Sequence, residues 1–205
     1  DADRVIAVDA DGNIVAGDQI MAICAHHRHS RGGLPGRAIV ATNYSNLGLT
    51  HALESIGCSV LRADAGDRYV LQMMLEKNLV IGGEQSGHVI FLETTTTGDG
   101  LITAIEVATV VASTGKPLSE LASVMTKYPQ FMVNAGVSRK EDYYGSARIA
   151  SALEAAEAEL GSSGRLLVRP SGTEPVVRVM GEGKDEDMIR RIVESLAEII
   201  ESELC

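Results

Sequence analysis

The segment Arg169-Pro170-Ser171-Gly172-Thr173-Glu174-Pro175 packs an arginine, two hydroxyls and a glycine between prolines, and Arg178 follows closely. Prolines set the edges of a turn and glycine permits a tight backbone, so both hydroxyls and the turn's N–H groups can converge on one anion. Two guanidiniums flanking the turn, from Arg169 and Arg178, can reach the same oxygens. The segment reads either as a phosphate cradle or as a plain hairpin in which Ser171 and Thr173 satisfy the turn. A second segment, Gly82-Gly83-Glu84-Gln85-Ser86-Gly87-His88, has glycines that let a backbone approach a ligand. In an extended stretch its Glu84, Ser86 and His88 would share one face, offering a carboxylate, a hydroxyl and an imidazole to sugar hydroxyls. A glycine-rich turn without a ligand is the alternative. Its spacing matches neither a dinucleotide fingerprint nor a P-loop. A third segment, Asp1-Ala2-Asp3-Arg4, spaces two carboxylates as hard cations favour, although solvated charge at a terminus looks the same. The run His26-His27-Arg28-His29-Ser30-Arg31 ends a helix, where cations suit the dipole, and we assign no metal to it.

Those loops need elements to hold them. Through about Thr126 short β-branched runs alternate with helical stretches, the grammar of an α/β domain with a mixed, largely parallel sheet between helices, an α/β/α sandwich. Strands are expected at Val5–Val8, Arg37–Ala41, Ser59–Arg62, Val80–Ile81 and His88–Leu92. Helices are expected behind the caps Asp18, Asn46, Asp67 and Asp99. Beyond Pro129 the pattern becomes strand (Phe131–Val137), helix (Ser146–Leu160), two strands (Arg165–Val168, Val176–Met180) and a helix capped by Asp185. That order predicts a small α+β domain with an antiparallel sheet and two helices.

The 205 residues, 45% of them hydrophobic, suffice for one large domain or two small cored ones. A net charge of -10 argues against a nucleic-acid partner, whose phosphates demand clustered Lys and Arg. No apolar run is long enough to span a membrane and no signal pattern opens the chain, so we expect no membrane partner and a cytoplasmic protein. Cys24, Cys58 and Cys205 are odd in number without metal-like spacing, and read as reduced thiols.

Together the three loops, in this order, resemble the α-D-phosphohexomutase superfamily over nearly the whole chain. Asp1 to Arg4 resembles the end of its magnesium loop D-G-D-x-D-R, Gly82 to His88 its sugar loop, and Arg169 to Pro175 its phosphate loop. Gly66-Asp67-Arg68-Tyr69-Val70, Ser45-Asn46-Leu47-Gly48 and Thr97-Gly98-Asp99-Gly100 are similar to the amino-sugar branch. The resemblance implies that residues 1–13 are the tail of a metal-loop (second) domain, 14–126 a sugar-recognition (third) domain and 130–205 a phosphate-binding (fourth) domain. It implies Mg2+ on Asp1 and Asp3, and Arg4 beside a phosphoserine. Glu84, Ser86, His88, Asp67 and Arg68 would bind substrate, and Arg169, Ser171, Gly172, Thr173 and Arg178 its phosphate. The reaction implied interconverts glucosamine 6-phosphate and glucosamine 1-phosphate through a 1,6-bisphosphate, for UDP-N-acetylglucosamine and peptidoglycan precursors. The partners implied are a hexosamine phosphate and N-terminal domains of the same protein that carry the reactive serine. Without them the chain is expected to be inactive, and dimerisation of the intact enzyme stays open. A phosphoglucomutase or phosphomannomutase of the same superfamily, or a non-catalytic sugar-phosphate-binding module, is the alternative.

Overall fold

The structure, a computed structural model, describes residues 2–205 apart from the side chain of Ser162. The described residues divide into two compact units, one running to Lys127 and the other spanning Tyr128–Cys205.

In the first unit the opening strand is shorter than expected. Only Ala7–Val8 (β1) pairs, antiparallel with Ile14–Val15 (β2), in a two-stranded ribbon separate from the main sheet. The main sheet contains Ala38–Thr42 (β3), Ser59–Ala63 (β4), Ile81–Gly83 (β5) and Val89–Phe91 (β6), in the order β4-β3-β5-β6. β3 is parallel to β4 and β5, and β6 closes the edge antiparallel to β5. The alternation of side chains along a strand explains why β3 is buried throughout. Ile39 and Ala41 enter a core with helices Gly17–Ser30 (α1), Leu47–Glu54 (α2), Gly100–Thr114 (α4) and Leu118–Ala122 (α5). Ala38 and Val40 enter a second core with Val70 and Met74 of Asp67–Lys77 (α3). The result is the expected mixed α/β/α sandwich.

Asn46 and Asp99 cap α2 and α4 as expected, each accepting hydrogen bonds from N–H groups of the first turn. The other two caps in this unit need correction. α1 begins at Gly17, and Asp18, inside it, is buried with its carboxylate accepting from the Asn46 N–H at 2.7 Å. A tertiary contact to the next cap has claimed that side chain. α3 is preceded by Gly66, and Asp67 is its first residue, where a carboxylate still suits the positive end of the dipole.

The second unit has the antiparallel sheet Gln130–Gly136 (β7), Gly164–Pro170 (β8) and Val176–Gly183 (β9), in the order β7-β9-β8. Helices Ala147–Leu160 (α6) and Glu186–Leu204 (α7) cover one face, packing on Val133, Val168, Val177 and Val179. Asp185 caps α7, accepting from the Met188 N–H at 3.0 Å. The hairpin β8–β9 runs further than expected and takes in Arg169 and Pro170. β8 is an edge strand, where proline's missing donor leaves no central ladder bond unmade.

Candidate functional site

In the first unit residues 84–88 form a tight turn between β5 and β6. The Glu84 N–H donates to His88 O at 2.9 Å and the Gly87 N–H to Glu84 O at 3.1 Å. The expected extended face of Glu84, Ser86 and His88 is therefore corrected. The turn is clamped from both sides, with the Val5 N–H donating to Gly87 O at 3.1 Å and the Gly17 N–H to Gln85 O at 3.2 Å. Gly87 has φ +92°, and a Cβ there would sit 2.1 Å from the Val5 carbonyl oxygen, so only glycine fits.

Folding the turn still brings carboxylate and hydroxyl together: Ser86 Oγ donates to Glu84 Oε2 at 3.2 Å, and Glu84 Oε1 accepts from the Gly66 N–H at 3.2 Å. The start of α3 thus abuts the turn, and the exposed Asp67 approaches the His88 ring at 3.9 Å. Arg68 lies over the Tyr69 ring, 4.4 Å from its centroid.

His88, expected to face sugar hydroxyls, is 6% exposed, and both ring nitrogens are engaged. Nε2 accepts from the Gly98 N–H at 3.1 Å, which leaves the ring proton on Nδ1, 3.3 Å from Asp3 Oδ2. The imidazole therefore orients Asp3. Gly98 lies flat against it, since a Cβ at that position would come within 2.4 Å of ring atoms. The other Asp3 oxygen, Oδ1, is buried with no hydrogen-bond partner, an arrangement that suits a bound cation. Asp1 lies outside the described residues, and among the described residues no group of three His, Cys, Asp or Glu side chains could hold a metal. Arg4 is exposed, and its segment runs against the N-terminus of α4, where the Gly100 N–H donates to Ala2 O at 2.9 Å. A cavity of about 210 Å³ behind the turn is lined by Gln85, Asp18 and Asn46 but not by Glu84 or Ser86.

In the second unit, Arg169 on β8 stands directly opposite Arg178 on β9. They share the sheet face that the helices leave uncovered, because their neighbours Val168, Val177 and Val179 point into the helical core. Like charges directly opposed on a sheet are unfavourable unless an anion or carboxylate offsets them. Glu174 pairs with Arg178 at 2.7 Å. Between the arginines the chain turns through residues 171–175. Ser171 is buried, and its Oγ accepts from the Glu174 N–H at 3.2 Å, while Gly172 and Thr173 are exposed. Gly172 has no left-handed backbone, and a Cβ there would meet nothing within 4 Å. The tight-turn reason for that glycine is corrected: neither its backbone conformation nor its surroundings demand glycine. Sequence reasoning missed Lys140, whose ammonium donates to Ser171 O at 2.6 Å and Glu174 O at 3.1 Å. It also missed Gly98 as the backing of His88. Neither has a local signal, because their partners are distant in the chain.

These two units define a mixed α/β/α sandwich and a small α+β fold with an antiparallel sheet. Residues 16–128 match "Phosphoglucomutase/phosphomannomutase, alpha/beta/alpha domain III" and residues 132–199 match the C-terminal domain of the same family, to which the chain belongs. Among relatives, it is similar to phosphoglucosamine mutase of Caldanaerobacter subterraneus subsp. tengcongensis, 51% identical over all of this chain and 46% of that protein. It is 50% identical to phosphoglucosamine mutase of Moorella thermoacetica over 97% of this chain and 45% of that one. The chain thus spans about half the length of the curated relatives it matches. Its fold is that of Aspergillus fumigatus N-acetylphosphoglucosamine mutase solved with GlcNAc-6P and magnesium, with a TM-score of 0.80 at 18% identity, covering 100% of this chain and 48% of that one.

Proposed function

We propose that this chain supplies the sugar-recognition and phosphate-gripping parts of a cytoplasmic phosphoglucosamine mutase, acting on a hexosamine phosphate. The opposed Arg169 and Arg178 at the mouth of an open glycine-containing turn carry the reading, in a chain whose net charge is -10. Identity near 50% to phosphoglucosamine mutases supports the amino-sugar substrate over glucose or mannose phosphates.

The geometry supports a division of roles among the residues. Glu84 and Ser86, held on the clamped turn, accept from and donate to sugar hydroxyls, with Asp67 and Arg68 beside them at the start of α3. Arg169, Arg178, Ser171, Thr173 and the Gly172 N–H grip the phosphate that is not reacting, a set that reads charge without demanding one sugar orientation. Asp3, with Asp1, would hold Mg2+, a role that the buried, unpartnered Oδ1 of Asp3 suits, and His88 helps to orient that carboxylate. When bound, the ion neutralises charge developing on the transferred phosphoryl group. The phosphoserine, which Arg4 would approach, and the bisphosphate exchange belong to the intact enzyme. The 205-residue chain alone should show no turnover, and turnover in a preparation free of intact mutase would refute that division of labour.

Calorimetric titration of the chain with glucosamine 6-phosphate, glucose 6-phosphate and inorganic phosphate tests the reading. With a few charge-assisted contacts per ligand we expect affinity of about millimolar, weakened roughly ten- to a hundredfold by Arg169→Ala. Sugar phosphates that bind wild type and Arg169→Ala alike would overturn it.

A further inference from the structure

We propose that Lys140 is the positioning residue of the phosphate loop: its ammonium holds the peptide between Ser171 and Gly172 so that the Gly172 N–H faces the incoming phosphate. The inference rests on the reading of Ser171–Pro175 as a phosphate loop. Lys140 Nζ donates to two carbonyls of that loop, Ser171 O at 2.6 Å and Glu174 O at 3.1 Å. In a trans peptide the C=O and the following N–H point in opposite directions, and no cis bond occurs among the described residues. Drawing the Ser171 carbonyl toward the ammonium therefore turns the Gly172 N–H away from it. Gly172 is exposed, and a Cβ on it would meet no atom within 4 Å, so the loop is open around the residue that carries the donor.

The brace is itself anchored. The N–H groups of Ser138 and Arg139 both donate to Leu204 O at 3.0 Å, tying the segment that carries Lys140 to the end of α7. The loop lacks an internal substitute. Its ladder bond from the Ser171 N–H to Val176 O, at 2.9 Å, and the Ser171 Oγ contact to the Glu174 N–H fix its two ends. Neither bond sets the rotation of the 171–172 peptide. A lysine serves here because a compact ammonium has several donors for several carbonyls. Placing a positive charge behind the loop also strengthens the field that an anion meets in front of it.

The test uses the 205-residue chain with inorganic phosphate as the probe and the Gly172 amide resonance as the reporter, in wild type, Lys140→Met, Lys140→Arg and Arg169→Ala. We expect Lys140→Met to move the Gly172 amide signal in the free protein, leave the signals of the α6–α7 core in place and weaken phosphate binding about tenfold. Lys140→Arg should restore most of both. Arg169→Ala should lose affinity with the free-protein Gly172 signal unmoved. If Lys140→Met binds phosphate as wild type does, the inference is overturned. It is overturned equally if affinity falls while the free-protein Gly172 signal stays put, since Lys140 would then be a direct ligand. If wild type and Arg169→Ala both fail to bind phosphate, the phosphate-loop reading itself falls and takes the role of Lys140 with it.

Discussion

Replacing Gly87 with alanine tests how the turn between β5 and β6 is held. Gly87 has φ +92°, and the new Cβ would lie 2.1 Å from the Val5 carbonyl oxygen and 3.0 Å from its carbon. These are backbone atoms, so no side-chain rotation relieves the overlap. Either the turn or the segment through Val5 must move, and the hydrogen bond from the Val5 N–H to Gly87 O is lost. Backbone strain of about 1–3 kcal/mol and a lost hydrogen bond of about 1 kcal/mol give a cost of roughly 2–4 kcal/mol. At a urea slope near 2 kcal/mol per molar, the midpoint of the first unit should fall by about 1–2 M. If the chain escapes by releasing residues 2–8, the loss at the midpoint will be smaller, but the Val5 amide should lose its protection from hydrogen exchange. Urea unfolding together with exchange at Val5 therefore reads either route. An unchanged midpoint with an unchanged Val5 amide would refute the argument that the turn is clamped against this strand.

Three other outcomes follow from the packing. Glu182 has no exposed surface and accepts from Arg165 Nε at 2.7 Å. Arg165→Met should lower the stability of the second unit by about 2–4 kcal/mol, read as a drop in Tm, and adding Glu182→Gln should recover much of it. The His26 imidazole titrates below its ordinary value of 6.5 because burial disfavours its charged form more than the bond to Ala52 O favours it. With its folded value lowered, His26 contributes stability above pH 6.5 that is lost as pH falls, so His26→Gln should flatten Tm between pH 5 and 7. Cys24 is buried and its thiol is pushed up to about 12, whereas Cys205 is exposed. A thiol reagent on the native protein should label Cys205 first and Cys24 only on unfolding.

The sequence alone determined the two element grammars, most helix caps and the order of the three loops, because each is written in neighbouring residues. Alternation along β3 and the helical spacing in α7 are local properties, and so are the cap bonds of Asn46, Asp99 and Asp185. Glu84 and Ser86 were legible for the same reason, lying two positions apart. What the tertiary structure decided depends on which distant groups meet. It turned Asp18 from a cap into a partner of Asn46, and it folded Glu84–His88 into a turn where periodicity suggested an extended face. It set His88 between Gly98 and Asp3, so that a residue suited by type to sugar hydroxyls orients a carboxylate instead. It also placed Arg169 across from Arg178 and Lys140 behind Ser171. A side chain's type states which bonds it can make, but only the fold supplies the partner, and a buried polar group takes the partner that its burial requires.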